Sequence, residues 1–347
     1  MTKFYASTSE VISKREKEHK EVVRHLATEC MVLLENDGSL PLEKAKGKIA
    51  LFGNGARWTI KGGTGSGDVN SREIVNIELG FESAGFTVTT KEWLDKYDQL
   101  MINAKKTYQE RLDIVAKEQG IPPFYVSFMM PFQNPPVQVI TAEVIEKSDT
   151  EIAIYVLSRT SGEGKDRSFT EGDYQLAEEE LEAIRVIANA YDTTIVLLNT
   201  GGIVDTTKLK GIQGINAMLL IGQPGNVTGY SVVDALLGKT NPSGRLTDTW
   251  AASYKDYPSS DTFSYTNGNL EDEYYAEDIY VGYRYFDSYN LTPNYCFGYG
   301  KGYSEFSIQT IDVIADENQV TVSVEVTNIG KLYPGREVVQ VYYSAPD

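Results

Sequence analysis

Two short segments carry the residues of this sequence that could do chemistry. Lys61-Gly62-Gly63-Thr64-Gly65-Ser66-Gly67-Asp68 sets glycines around two hydroxyls and a carboxylate. Backbone without Cβ atoms can come close to a ligand and offer it N–H groups. A phosphate cradle is the first reading, and it fails on detail. The Walker pattern ends in Gly-Lys-Ser/Thr, and Gly53-Asn54-Gly55 has Trp58 where the dinucleotide fingerprint needs its third glycine. Hydrogen bonding to sugar hydroxyls and a flexible surface turn stand as equal alternatives. The second segment, Arg159-Thr160-Ser161-Gly162-Glu163-Gly164-Lys165-Asp166-Arg167, holds a carboxylate between two glycines, on backbone that can swing and reach. Out of context, Glu163 reads as a solvated loop residue and Asp166 with Arg167 as a local ion pair of little worth. The acidic runs Glu178 to Glu180 and Glu271 to Glu273 read as a helix start and a solvated connector. His19 and His25 both fall on a charged opening segment, which leaves no histidine for a catalytic triad or a metal site.

Both segments follow runs that read as buried strands, where open α/β sheets hold their ligands. Lys48 to Gly53, Glu151 to Leu157, Thr194 to Leu198 and Ile215 to Ile221 are short apolar runs of the kind that parallel strands buried on both faces require. Helical patterns separate them. The opening one runs from Glu18 to Leu34 and stops at Asn36-Asp37-Gly38. Asp173 is the expected N-cap of a helix carrying Leu176, Leu181, Ile184 and Ile187, and Asn226 that of a helix through Val233, Leu236 and Leu237. Strands alternating with helices predict a mainly parallel sheet covered on both faces, because parallel neighbours need a crossover. Lys105 to Lys147 breaks this rhythm with a polar helical stretch and the run PPFYVSFMMPFQNPP, and reads as an excursion at the sheet's edge.

After Trp250 the pattern changes to a connector rich in Tyr, Ser and Asp, then to alternating strands at Glu305 to Ile314, Gln319 to Thr327 and Arg336 to Ser344. A β-sandwich needs about seven strands. Three would leave an apolar face and open edges in water, so the sequence predicts a chain completed by further polypeptide. The expected divisions are an α/β domain over 1–250, a connector and domain joint over 251–300, and the start of a β-sandwich over 301–347. Tyrosine reaches 23 residues, many crowded between Tyr254 and Tyr303, where the rings could line a sugar or, as the favoured reading, fill a domain joint.

Composition narrows the partners. The chain has 347 residues, 41% of them hydrophobic, with 49 Asp and Glu against 32 Lys and Arg, for a formal charge of −17. That charge repels phosphate backbones and anionic lipid heads, so neither nucleic acid nor a membrane is an expected partner. Cys30 and Cys296 sit in apolar or aromatic contexts and read as buried thiols rather than a disulfide. The first twenty residues are too charged for a signal peptide, and the default expectation is a cytoplasmic enzyme.

The order of motifs resembles the two C-terminal domains of glycoside hydrolase family 3 β-glucosidases. It rests on CMVLLENDGSLPL, KGGTGSGDV, SGEGKDR, LLNTGGIVD, INAMLLIGQPGNVTG, NPSGRLTDTW, YAEDIYVGYRYFD and FGYGKGYSEF, which together span nearly the whole chain. The resemblance implies a six-stranded α/β sandwich and then a fibronectin-III-like domain, both partnered by an (α/β)8 barrel that is absent here. In such enzymes the barrel supplies an aspartate nucleophile and most glycone contacts, and the sandwich lends the acid/base glutamate and one glucose-binding loop. Carried over by motif, Glu163 is the acid/base, Ser66 the hydroxyl contact, and Thr64 and Asp68 further contacts. NPSGRL and YVGYRYFD read as a turn and a domain joint. The barrel should precede residue 20, and a circularly permuted member, with the barrel following Asp347, would explain its place.

A retaining mechanism sets two carboxyl groups about 5 to 5.5 Å apart, one attacking the anomeric carbon and one protonating the departing oxygen. Glu163 must then start protonated. Burial and the nucleophile's charge would favour that, whereas Lys165 or Arg167 would oppose it. The expected substrate is an oligosaccharide or aryl β-glycoside, most simply a terminal β-D-glucosyl unit, with β-xyloside and β-N-acetylglucosaminide as alternatives. No metal or organic cofactor is implied, and a homo-oligomer stays open. The rival reading is a non-catalytic carbohydrate-binding or scaffold module, and a nucleotide-binding enzyme is the weakest.

Overall fold

The computed structural model describes residues 9–43, 47–161, 167–272, 274–330 and 332–344. Helix α1 (Lys14–Cys30) opens on Ser13, whose hydroxyl takes the Glu16 N–H at 3.2 Å while the Glu16 carboxylate takes the Ser13 N–H at 2.8 Å. Its expected continuation to Leu34 is instead strand β1 (Val32–Asn36). Val, Leu and Leu fit either period, and a waiting sheet edge decides between them. Strand β2 (Gly47–Phe52), helix α2 (Ile77–Ser83), a short strand β3 (Phe86–Val88) and the long helix α3 (Lys91–Gln119) follow. The excursion continues through α4 (Pro123–Met129) to α5 (Ala142–Ser148). Then come β4 (Ile152–Arg159), α6 (Glu178–Ala190), β5 (Thr193–Thr200), α7 (Thr207–Lys210), β6 (Ala217–Leu220) and α8 (Thr228–Leu236).

The six strands lie in the order β1-β6-β5-β4-β2-β3, all parallel except β1, which runs antiparallel to β6. Ala153 to Leu157 on β4 and Ile195 to Leu198 on β5 are wholly buried, as strands covered on both faces must be. On one face Phe52 meets Trp93 of α3 edge-on at 5.3 Å and Tyr191, just past α6, at 6.2 Å. From β2 the chain moves outward to β3, then crosses back to β4 and proceeds the other way through β5 and β6. The order therefore reverses between β2 and β4, and the carboxyl ends of strands at such a switch point are where doubly wound sheets place their ligands.

Two expected caps are not caps. Helix α6 begins at Glu178 behind Ala177, because Asp173 is drawn into an ion pair with Arg167. Helix α8 begins behind Val227, and the carbonyl of Asn226 accepts the Val75 N–H at 2.8 Å instead.

Helices α2 and α8 cross at two glycines. A Cβ on Gly80 would lie 2.2 Å from the carbonyl oxygen of Gly229, and one on Gly229 would lie 1.9 Å from that of Asn76. Alanine ordinarily favours a helix over glycine by about 1 kcal/mol. Here the obstacle is backbone, so Gly80→Ala should destabilise the chain by about 2–3 kcal/mol through overpacking. Thermal unfolding checks this, and an unchanged midpoint would mean that the helices do not approach so closely.

The aromatic segment after Trp250 packs in part against the strands and helices before it. Trp250 and Tyr295 are buried, the Tyr299 hydroxyl donates to the carbonyl of Leu34 at 3.0 Å, and that of Tyr303 donates to Ala235 at 2.8 Å. Tyr274, Tyr275 and Tyr289 stay exposed. Helix α9 (Tyr283–Ser288) leads to the antiparallel pair β7 (Phe306–Ala315) and β8 (Val320–Asn328). The third expected strand, Arg336 to Ser344, pairs with neither. Its side chains reach back to earlier segments, Glu337 to Arg245 at 2.7 Å and Tyr342 to the ring of Tyr283 at 5.5 Å. Both cysteines are exposed, contrary to expectation. Cys30 is the last residue of α1, and Cys296 follows the buried Tyr295.

Candidate active site at the switch point of the sheet

The exit of β2 passes tightly over β4, and glycine makes this possible. Gly53 has φ +89°, and its Cβ would lie 2.4 Å from the Val156 carbonyl oxygen; a Cβ on Gly55 would lie 2.0 Å from Ser158 Oγ. Gly-Asn-Gly is thus a strand-crossing device rather than part of a nucleotide fingerprint. Asn54 brackets Ser158, taking its N–H at 2.8 Å and donating to its carbonyl at 3.1 Å.

Ile60 leads into the glycine-rich loop. Its N–H donates to Asn199 Oδ1 at 2.6 Å, and its carbonyl accepts from Asn199 Nδ2 at 2.9 Å. The carbonyl of Lys61 then accepts the Gly225 N–H at 2.8 Å. The loop folds on itself, since a Cβ on Gly62 would lie 2.4 Å from the carbonyl oxygen of Gly67. Ser66 stands at the middle of a short 3-10 turn, Gly65–Gly67. Thr64 is exposed and reaches the exit of β4. Its N–H donates to the Ser161 carbonyl at 2.8 Å, and its hydroxyl lies 3.4 Å from that of Thr160. Asp68 is exposed and paired with the Lys61 ammonium. Behind the loop Trp58 donates to Asp98 at 2.8 Å and carries the Lys105 ammonium 4.0 Å from its ring centroid.

The β4 exit is held at both ends. Arg159, 5% exposed, pairs with the buried Glu180. Arg167 pairs with Asp173; Asp166, the partner the sequence suggests, lies outside the described residues. Burial alone would raise the Asp173 carboxyl, but the Ser168 N–H and hydroxyl and the Arg167 guanidinium outweigh it and hold it below the usual carboxylate range. A Cβ on Gly201 would lie 1.9 Å from Ser161 Oγ, so this glycine gives the loop's near end its room. Glu163 lies outside the described residues, as do Lys165 and Asp166.

The structure therefore joins Thr64 to Thr160 and Ser161, and Asp68 and the turn bearing Ser66 belong to the same loop as Thr64. Among the described residues no three His, Cys, Asp or Glu side chains gather to hold a metal ion. Sequence reasoning missed the buried amide cluster of Asn54, Ser158 and Asn199 beneath both loops. Its only local signal was an asparagine ending the apolar run TIVLLN.

Comparison with known proteins bears on the fold and the family. The model of the glycosyl hydrolase family 3 C-terminal domain matches residues 31–283. Beta-glucosidase A of Butyrivibrio fibrisolvens is 35% identical over 374 aligned residues, covering 94% of this chain and 42% of that protein. A beta-glucosidase of Ruminococcus albus is 34% identical over 334 residues, covering 95% of this chain and 33% of that protein. Among solved structures, beta-glucosidase 3B from Thermotoga neapolitana in complex with glucose superposes with a TM-score of 0.77 at 32% identity, over 90% of this chain and 42% of the other. The chain thus spans less than half the length of these relatives. Matched over most of its length to that family's C-terminal domain, the chain belongs to glycosyl hydrolase family 3.

Proposed function

We propose that this chain is the acid/base-bearing part of a retaining β-glucosidase that releases terminal β-D-glucosyl residues. The observation that carries the reading is the bond from Thr64 N–H to the Ser161 carbonyl, 2.8 Å long, between the segments that leave β2 and β4 at the switch point. It ties the glycine loop to the loop whose sequence continues into Glu163. Ser66, with Thr64 and Asp68, contacts the glucose hydroxyls, and Glu163 protonates the departing oxygen and later deprotonates water. The nucleophilic aspartate and most glycone contacts come from an (α/β)8 barrel facing this switch point. In the same reading β7 and β8 open a fibronectin-III-like domain.

This division of labour predicts that the 347-residue chain alone hydrolyses no 4-nitrophenyl β-D-glucoside above background, and that joining it to the barrel restores turnover. Both halves of the carboxylate pair are needed for the double displacement. Turnover by the isolated chain at the rate of the joined protein would show that the chain holds its own nucleophile and would overturn the reading.

A further inference from the structure

We infer that Asn199 is the positioning residue that sets both site loops relative to each other. The inference rests on the reading of these loops as the glucose-binding and acid/base elements. Asn199 is the penultimate residue of β5 and is 0% exposed. A side-chain amide offers two N–H donors and an oxygen with two lone pairs. Here all of that capacity is used. Oδ1 accepts from Ile60 N–H at 2.6 Å and from Ser158 Oγ at 2.8 Å, while Nδ2 donates to the carbonyls of Ile60 at 2.9 Å and Gly222 at 2.6 Å.

Every one of these partners is the root of a loop or the strand end beneath one. Ile60 begins the glycine loop, Ser158 is one residue from the end of β4 and its exit toward Glu163, and Gly222 follows β6. The two-point grip on Ile60 copies what a neighbouring strand would do, at a place where the chain has left the sheet. Strand β5 does not need this side chain for its own pairing, since its ladders run through the backbone from Ile152 opposite Thr193 to Arg159 opposite Thr200, and from Ile195 opposite Ala217 to Leu198 opposite Leu220. The amide thus spends its bonds on registering the loop roots.

Asn199→Leu keeps the volume and removes all four bonds. In this chain the amides of Ile60 and Thr64 should then exchange hydrogen about tenfold faster or more, with those of Ile154 to Leu157 and Ile195 to Leu198 unchanged. In the protein joined to its barrel, KM for an aryl β-glucoside should rise about tenfold, more than kcat, counted per active site titrated with a fluorosugar, falls. Ser158→Ala removes a single bond from the same amide and should move exchange and KM the same way by a smaller factor, which keeps the test open if Asn199→Leu does not fold. Unchanged exchange at Ile60 and Thr64, or a lowered melting temperature with KM unchanged, would overturn the inference. Full activity of Glu163→Ala would instead overturn the catalytic reading, leaving the exchange measurement to judge Asn199 by itself.

Discussion

Glu163→Ala, made in the protein joined to its barrel, should cut kcat for a β-linked disaccharide by about a thousandfold, within the range that a positioned general acid/base contributes. The loss should depend on the leaving group. A sugar alkoxide cannot depart without a proton, so glycosylation of the enzyme fails. A dinitrophenolate leaves unaided, so with that substrate the intermediate forms and then waits for water that no base activates. Azide, a nucleophile that needs no base, should restore turnover and yield the β-glucosyl azide. The basic limb of the pH–rate profile should vanish with the carboxyl group that titrates there. Full activity on the disaccharide would remove Glu163 from the chemistry, whatever the loop does.

How much of this was legible in the sequence follows from the range of the interactions involved. The strands β2, β4, β5 and β6 were readable because strands buried on both faces are continuous apolar runs, and the ligand-binding end of such a sheet followed from their alternation with helices. β1 was misread because Val32 to Leu34 are buried on a sheet edge whose partner, β6, lies nearly two hundred residues on. β3 was missed because three residues, Phe-Thr-Val, make no period. Asp173 has the type and position of an N-cap, but a guanidinium six residues earlier competes for it and wins. The Asn199 cluster was invisible for the same physical reason. Its bonds join residues 41 and 139 positions apart, and nothing local distinguishes an asparagine that registers loops from one that ends a strand. The motifs carry the roles proposed for Glu163, Ser66, Thr64 and Asp68; what the fold adds is that the described parts of their loops meet.

Glu180→Gln should be the costliest of these substitutions for stability, at about 3–5 kcal/mol, because it strands a buried guanidinium. Arg159 and Glu180 are 5% and 6% exposed, and they meet between the end of β4 and the first turn of α6. Among the described residues the other hydrogen bonds of Arg159 go to neutral carbonyls, Asp173 at 3.1 Å and Ser158 at 3.0 Å, which orient the cation without balancing its charge. The glutamine would also weaken the start of α6, where the Glu180 carboxylate now accepts the Ala177 N–H at 2.9 Å. Urea unfolding monitored by circular dichroism should show the midpoint falling with its slope unchanged. Arg159→Met combined with Glu180→Leu should recover most of the loss, since an apolar pair of similar volume carries no desolvation cost. If the single variant were as stable as the parent, the pair would not be buried, and the β4 exit would lack the anchor that holds the root of the Glu163 loop. Because Arg159 immediately precedes Thr160 and Ser161, the recovered double variant also separates fold from function: the strand end would be stable again, but it would be held by packing rather than by a directed ion pair.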